Sequence, residues 1–225
     1  MAVVQQLIRR SGAAKVSLWA VGLTDAAAVL AGLAYAGYLQ SLDPISKVEE
    51  LELVTSELAY TLVGLAQLVA LIIAAVFFIR WFHLAHHNLG RLSDQPASHN
   101  SHWVIWGFFV PILNLVRPQQ LMREIWSITS ASWQGQSSRV VGLTQPADHV
   151  NLWWGLFLAT GFLGNAVGRF AWHATTAQET LLATWATVFA DAFDIAAVLV
   201  ASALVRSVTE LQRPLLGHAP AGPAT

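Results

Sequence analysis

The sequence predicts an all-α membrane protein with four transmembrane helices, a cytoplasmic re-entrant or interfacial segment and an amphipathic surface helix. Three observations lead to this fold class: 55% of the 225 residues are hydrophobic, 11% are charged, and the mean hydropathy is +0.52. Soluble globular domains carry about 25% charged residues. The composition therefore disfavours an ordinary water-soluble enzyme and favours a chain that lies in a bilayer.

Four apolar segments are long enough to cross a membrane, which takes roughly 20 consecutive apolar residues. They cover residues 16–42, 58–82, 152–172 and 183–205. A fifth apolar stretch, residues 103–116, is too short for a helical crossing and contains a proline. We expect this stretch to enter and leave the membrane on the same side, or to lie at its surface.

The segment after the short apolar stretch predicts a surface helix over residues 118–133. Apolar side chains recur there at helical spacing from Leu121 to Ile128, which is typical of a helix lying on a membrane face. On this prediction Glu124 points away from the apolar row. Residues 206–225 follow the fourth span as a tail, and the whole chain is treated as one membrane domain.

The distribution of positive charge predicts the orientation. Ten of the twelve Lys and Arg residues flank one set of span ends, and only Lys47 and Arg169 fall on the other side. Because Lys and Arg are enriched in cytoplasmic loops, both termini are expected in the cytoplasm. Trp81, Trp153 and Trp154 fall near the predicted cytoplasmic ends, where aromatic belts are expected.

Several classes of function lack the residues that they require. The net charge of −1 provides no basic surplus for nucleic acid. The absence of cysteine removes disulfides, thiolate zinc sites and cysteine-ligated clusters. The sequence also contains no Gly-rich phosphate loop, H-E-x-x-H or G-x-S-x-G motif. Enzymatic activity is therefore not favoured, and no nucleic-acid partner is expected.

Two runs in the middle of the chain carry a family resemblance. Residues 78–89 read FIRWFHLAHHNL, and residues 109–118 read FVPILNLVRP after two tryptophans. Together they resemble the bacterial membrane family of domain of unknown function 4328, which has a tryptophan-led P-x-x-N-L-x-x-P core after a basic helix end. The positions that match this motif are Asn88, Pro111, Asn114 and Pro118.

The resemblance covers roughly residues 60–205 and implies a multi-pass protein of the bacterial cytoplasmic (inner) membrane, with no established activity. The sequence departs from the family pattern at one place. Where the family has arginines at the helix end, this chain has His83, His86 and His87.

These three histidines are also candidate metal ligands. Their spacing places them on one helix face, and His149 is predicted on the same side of the membrane. Neutral imidazoles can bind zinc, copper or nickel, and two facing histidines can ligate haem iron. The simpler interpretation is that His replaces the family's basic residues at the membrane interface. No cofactor is therefore expected, and metal or haem binding is kept as an alternative.

Three aspartates lie near the middle of predicted spans: Asp25, Asp191 and Asp194. A central aspartate opposes membrane insertion by roughly 2.5–3.5 kcal/mol, so the fourth span should face other helices rather than lipid. The candidate polar partners inside the bundle are Arg169, which could reach Asp191, together with Asn165 and Gln67.

The acids support two interpretations, either a proton or cation path through the bundle or a buried polar network that fixes helix register. For the whole protein the first hypothesis is a non-catalytic accessory or scaffold subunit of a larger membrane complex. The alternatives are a small transporter or proton- or cation-conducting protein that uses the aspartates, and a metal- or haem-binding membrane protein. The expected partners are the lipid bilayer and other protein chains or further copies of this one.

Overall fold

A computed structural model describes residues 1–41, 50–93, 97–134 and 146–218, and helices account for most of them. The helices are α1 (Ala2–Leu39), α2 (Glu50–His87), α3 (Leu89–Leu92), α4 (Trp103–Phe109), α5 (Arg117–Gln134), α6 (Pro146–His173) and α7 (Ala177–His218), with a 3₁₀ turn at Leu113–Leu115. These described ranges contain no strand.

Four of the helices, α1, α2, α6 and α7, are long and apolar enough to cross a membrane. The prediction of an all-α fold with four candidate spans is therefore confirmed. The helices extend past the predicted span limits: α1 begins at Ala2 and α7 continues to His218, so residues 206–218 of the predicted tail are helical. The rest of that tail, residues 219–225, lies outside the described residues.

The short apolar stretch folds as a broken helix rather than a continuous one. Helix α4 has seven residues, and Val110 follows it in an extended conformation (φ −88°, ψ 115°). The ring of Pro111 explains this break, because a proline disfavours helical dihedrals in the residue before it. The chain then resumes helical structure at α5, where Pro118 occupies the first turn and no backbone N–H is required.

The helices divide into two compact units, of which the first contains Met1–Ser17, Ala74–Gly155 and Val200–Thr225. Its core is aromatic. The ring of Trp153 lies 5.7 Å from that of Phe78 and 6.4 Å from that of Phe82, and Trp81 is fully buried. The Trp81 indole donates to Thr209 Oγ1 at 3.1 Å, which ties α2 to α7. Trp81, Trp153 and Trp154, predicted as an interfacial belt, are core residues in the structure.

The second unit contains Leu18–Ile73 and Leu156–Leu199. Small residues of α1, including Ala28 and Ala36, are buried in it. In the most apolar stretch of α7, 44% of the residues are buried, whereas in that of α2 only 11% are buried. The aspartate-bearing α7 is thus more buried than α2, whose more apolar surface is mostly exposed.

Candidate functional site: the aspartate cluster

Helix α7 contributes several buried or half-buried polar side chains to the second unit. Thr184 and Asp191 are 4% and 8% exposed, and Asp194 is half-buried. The Thr184 hydroxyl donates to the Thr180 carbonyl of its own helix at 2.8 Å, so it needs no outside partner. Asp191, by contrast, is hydrogen-bonded by a side chain of another helix.

Gln67 of α2 supplies the contact. Its Nε2 donates to Asp25 Oδ1 of α1 at 3.0 Å and to Asp191 Oδ1 of α7 at 3.1 Å. One amide group therefore joins carboxyl groups from two other helices. We call Asp25, Gln67, Asp191 and Asp194 the aspartate cluster. The sequence prediction named all four residues, but it did not assign Gln67 to both carboxyls.

Close packing of α1 against α7 places Asp25 in this cluster. A Cβ atom built on Gly22 would lie 3.3 Å from Val198 Cγ1, which is tighter than ordinary van der Waals contact. Gly22 precedes Asp25 by three residues, so it lies on nearly the same helix face. Its missing side chain allows the two backbones to approach, and Asp25 is consequently only 3% exposed.

The cluster brings three carboxyl groups together without a cation among the described residues. Among the described residues, no Lys, Arg or His forms an ion pair with Asp25, Asp191 or Asp194. The charges of Asp25 and Asp191 both act on Asp194. Oδ2 of Asp25 and Oδ2 of Asp191 are buried and have no hydrogen-bond partner among the described atoms. Ionised carboxylates in this setting lack the pairing that buried charges require.

The expected contact between Arg169 and Asp191 does not occur. The Arg169 side chain is exposed, and its Nε donates instead to Asn165 Oδ1, one turn earlier on the same helix, at 3.0 Å. A partner four residues away is available without ordering another helix, which explains the local choice. Arg169 and Asn165 thus stay outside the aspartate cluster, and that part of the prediction is wrong.

The arrangement of carboxyl groups in the aspartate cluster suits proton chemistry. Within the described ranges, no group of three or more His, Asp or Glu side chains is placed to hold a metal ion. A carboxyl group with a free oxygen, next to a second carboxyl and an amide, can accept a proton and pass it on. The geometry therefore permits proton uptake at the aspartates.

A second polar site lies in the first unit, where Glu124 of α5 contacts two histidines. Its Oε2 lies 3.2 Å from His86 Nε2 and 3.2 Å from His99 Nδ1, and its Oε1 accepts a hydrogen bond from the Ser98 backbone N–H. The prediction that Glu124 points away from the apolar row is wrong. Its spacing, three residues after Leu121 and four before Ile128, already placed it on that row.

These contacts set the acidity of Glu124. Burial alone would raise the pKa of its carboxyl group, but hydrogen bonds from His86, Ser98 and His99 outweigh burial and lower this pKa below the ordinary value. The carboxylate is therefore the stable form at neutral pH. It joins α5 to the end of α2 and to the segment before α4.

The four histidines predicted as metal ligands do not form a group that could hold a metal ion within the described residues. His86 is 2% exposed and turns toward Glu124, while the rings of His83 and His87 stack on each other at 6.3 Å. His149 is exposed at the start of α6. Spacing suggested that the three α2 histidines share one helix face. In the structure His86 is buried against Glu124, whereas His83 and His87 are more exposed.

The motif residues have structural positions. Pro111 and Pro118 bound the break between α4 and α5, and Asn114 N–H donates to the Val110 carbonyl at 2.8 Å within it. Asn88 follows α2 and is 1% exposed. The side-chain Oδ1 and Nδ2 of Asn88, and Oδ1 of Asn114, are buried without a hydrogen-bond partner among the described atoms. These asparagines are thus part of the packed first unit rather than of the aspartate cluster.

Comparison with known proteins gives one match. The profile of the family described as "Domain of unknown function (DUF4328)" matches residues 46–210. Neither a curated protein nor a solved structure matches the chain significantly. The matched range includes Gln67, Asp191 and Asp194 of the aspartate cluster, whereas Asp25 precedes it.

Proposed function

Because the chain belongs to the DUF4328 family and has four helices able to cross a membrane, we propose that it is a membrane protein that conducts protons through the aspartate cluster. The observation that carries this proposal is the Gln67 amide, which bridges the carboxyl groups of Asp25 and Asp191 where the described part of the chain supplies no cation.

The alternative role for such acids is a purely structural network. A structural network is stable when its charges are paired, and the expected pairing cation, Arg169, binds Asn165 instead. Acidic side chains inside a membrane are disfavoured by roughly 2.5–3.5 kcal/mol each on insertion scales. Three acidic side chains without a cation among the described residues oppose insertion more than fixing the helix register requires. A single neutral polar side chain could fix that register. This comparison favours a functional use of the acids.

The three carboxyl groups have distinct roles in the proposal. Asp25 and Asp191 are the proton-accepting groups, because each has one buried oxygen without a hydrogen-bond partner among the described atoms. Gln67 holds them in place through their other oxygens. Asp194 lies one turn from Asp191 and is half-buried, so it is the relay between the bridged pair and the rest of the path.

Proton flux into liposomes tests the proposal directly. The purified full-length protein is reconstituted with a pH-sensitive dye inside the vesicles, and a potassium diffusion potential drives proton entry. We expect acidification above that of empty vesicles, and its loss in Asp25→Asn and Asp191→Asn. Asp148→Asn is the matched control, because Asp148 is an exposed carboxyl in the first turn of α6. Absence of flux in the native protein, or equal flux in all variants, would contradict the proposal.

A second readout separates lost function from lost folding. Protonated carboxyl groups absorb in the infrared at a frequency distinct from that of carboxylates. We expect the native protein to show a carboxyl band that diminishes in Asp25→Asn and Asp191→Asn, while the far-ultraviolet circular dichroism of both variants stays native. An unchanged band would mean that the cluster does not hold the proton.

The accessory-subunit hypothesis remains a second proposal, supported by one face of α6. Cβ atoms built on Gly161, Gly164 and Gly168 would meet no atom within 4 Å. Gly164 and Gly168 form the small-xxx-small spacing that lets membrane helices approach closely. The neighbouring Asn165 is exposed and could hydrogen-bond across such an interface.

Gentle native purification with mass spectrometry tests the accessory role. The hypothesis expects a partner, or a further copy of this chain, at fixed stoichiometry, and its loss in Gly164→Leu/Gly168→Leu. Gly155→Leu is the control. Gly155 lies on the same helix, and a Cβ atom built on it also meets no atom within 4 Å. A chain that elutes alone, or a complex that is insensitive to the glycine substitutions, would contradict this role.

The membrane and the orientation are part of the proposal. The excess of Lys and Arg beside one set of span ends supports a bacterial inner-membrane protein with both termini in the cytoplasm. The chain lacks cysteine, so single cysteines introduced at Ser41 and at Ser130 are unique labels. We expect an impermeant thiol reagent to label the first from outside the cell and the second only after permeabilisation. The reverse pattern would invert the topology.

Proton conduction through carboxyl groups needs no metal or organic cofactor. Elemental analysis and an absorption spectrum of the purified protein test this expectation. A stoichiometric metal or chromophore that disappears in His86→Ala would instead support the metal- or haem-binding alternative.

A further inference from the structure

Three arginines lie together in the first unit, at the ends of two candidate spans. Arg9 and Arg10 belong to α1, and Arg80 belongs to α2. Arg10 Nη1 donates to the Arg80 backbone carbonyl at 3.1 Å, and the positive charges of Arg80 and Arg9 both act on Arg10. We call these three residues the arginine cluster. A contact between helices, and not only their order in the sequence, brings the charges together.

The arginine cluster has no acidic partner in the described parts of the chain. The ion pairs found there join Glu124 to His86 and His99, and Arg206 to Glu210. Arg9 and Arg80 are exposed and Arg10 is half-buried, so most of their N–H donors are open to a ligand. Like charges held together repel one another unless an anion neutralises them.

A topological role alone does not explain this arrangement. Positive charge orients a membrane protein wherever it lies in a short loop or near a span end, and it requires no convergence of side chains. Here the Arg10 guanidinium group of α1 lies against the Arg80 backbone of α2, close enough for the charges of Arg9 and Arg80 to act on it. Guanidinium groups present planar pairs of N–H donors that match the oxygen atoms of a phosphate.

Exposed apolar side chains next to the cluster indicate a lipid rather than a free ion. Val76 and Phe77 are 49% and 38% exposed, and they precede Arg80 by one turn of α2. Val16 on α1 is 72% exposed, two turns after Arg9 and Arg10. A phospholipid can use both features, with its phosphate at the guanidinium groups and its acyl chains on the apolar surface. Inorganic phosphate uses only the first.

We propose that the arginine cluster binds the phosphate group of an anionic phospholipid headgroup. Arg10 and Arg80 hold the phosphate oxygens between α1 and α2, and Arg9 adds charge at the exposed side. The site lies in the first unit and uses none of the aspartates, so this proposal is independent of proton conduction.

Lipid binding to the full-length protein tests the site. The probes are phosphatidylglycerol and phosphatidylcholine with identical acyl chains, and inorganic phosphate, each titrated into detergent-solubilised protein and measured by native mass spectrometry. Removing Arg10 and Arg80 in R10Q/R80Q is expected to weaken phosphatidylglycerol binding about thirtyfold, or about 2 kcal/mol, at about 1 kcal/mol per arginine. R206Q/R213Q is the matched control, because it removes two exposed arginines of α7.

Each result has a defined meaning. Preference for phosphatidylglycerol over phosphatidylcholine, lost in R10Q/R80Q and kept in R206Q/R213Q, supports the site. Equal binding of both lipids, an equal loss in the control, or phosphate binding without any lipid preference overturns it. R9Q covers the case in which R10Q/R80Q does not fold, because the hydrogen bond that joins the two helices there belongs to Arg10. In R9Q we expect about fivefold weaker phosphatidylglycerol binding, and an unchanged affinity would also overturn the proposal.

Discussion

Replacing Gln67 by leucine is the most direct test of the aspartate cluster as a physical unit. The substitution removes two hydrogen bonds, at 3.0 Å to Asp25 and 3.1 Å to Asp191, while nearly keeping the volume of the side chain. Hydrogen bonds between membrane helices contribute about 0.6 kcal/mol on average and about 1.7 kcal/mol at most. We therefore expect Gln67→Leu to lower the free energy of unfolding by about 1–3 kcal/mol.

The assay is equilibrium unfolding of the full-length protein in mixed micelles, followed by circular dichroism as the fraction of denaturing detergent rises. Gln6→Leu, at an exposed position of α1, is the control for the change in hydrophobicity. A double-mutant cycle with Asp25→Ala isolates the contact, and its coupling energy should exceed about 0.5 kcal/mol. A loss equal to that of the control, or a coupling energy near zero, would refute the view that Gln67 joins the two carboxyl groups.

Three further predictions concern residues around the two polar sites. Glu124→Gln should destabilise the protein by about 2 kcal/mol at neutral pH. The pKa of Glu124 is lower in the folded protein, so this contribution is complete above the unfolded pKa of about 4.3 and disappears as the pH falls through the folded pKa. When unfolding is measured across acidic pH, the stabilities of the native protein and the variant should converge. Parallel stability curves would contradict this prediction. Gly22→Val should destabilise the folded protein by about 1–3 kcal/mol, since its Cβ would lie 3.3 Å from Val198 Cγ1. Gly12→Val is the control and should be tolerated, because a Cβ atom at Gly12 meets no atom within 4 Å. Thermal unfolding compares the two variants. Arg169→Gln should leave proton flux unchanged because Arg169 binds Asn165, and a large loss of flux would place Arg169 in the proton path after all.

Hydropathy was sufficient to predict the number and class of the long helices. An unbroken apolar segment in a membrane has few options other than a helix, because its backbone groups must be satisfied within the segment. The same reasoning identified α7 as a helix that faces its neighbours, since two aspartates on an alanine-rich segment oppose exposure to lipid. Helix ends were harder to predict, because a helix such as α7 continues past the apolar region to His218 without any change in hydropathy that marks its end.

The periodicity of the sequence could not predict contacts between side chains that lie far apart in the chain. Spacing places Glu124 on the inner face of α5, but only the packing of α5 against the end of α2 brings it to His86. Trp81 shows the same limit. Its position near a span end suggested the membrane interface, yet the buried hydroxyl of Thr209 satisfies its indole N–H inside the first unit. A tryptophan can lie in a core wherever its one donor finds an acceptor, and the sequence does not contain that information.

The way Gln67 is shared has a consequence for how the aspartate cluster would work. Its amide occupies Oδ1 of both carboxyl groups, so Oδ2 of each is the atom that would gain or lose a proton in the proposed conduction. A change of charge therefore breaks neither bridging hydrogen bond, and the three helices stay joined in every protonation state. Protons could then pass through a scaffold that does not move, so throughput would depend on how quickly protons arrive rather than on a helix rearrangement between two conformations.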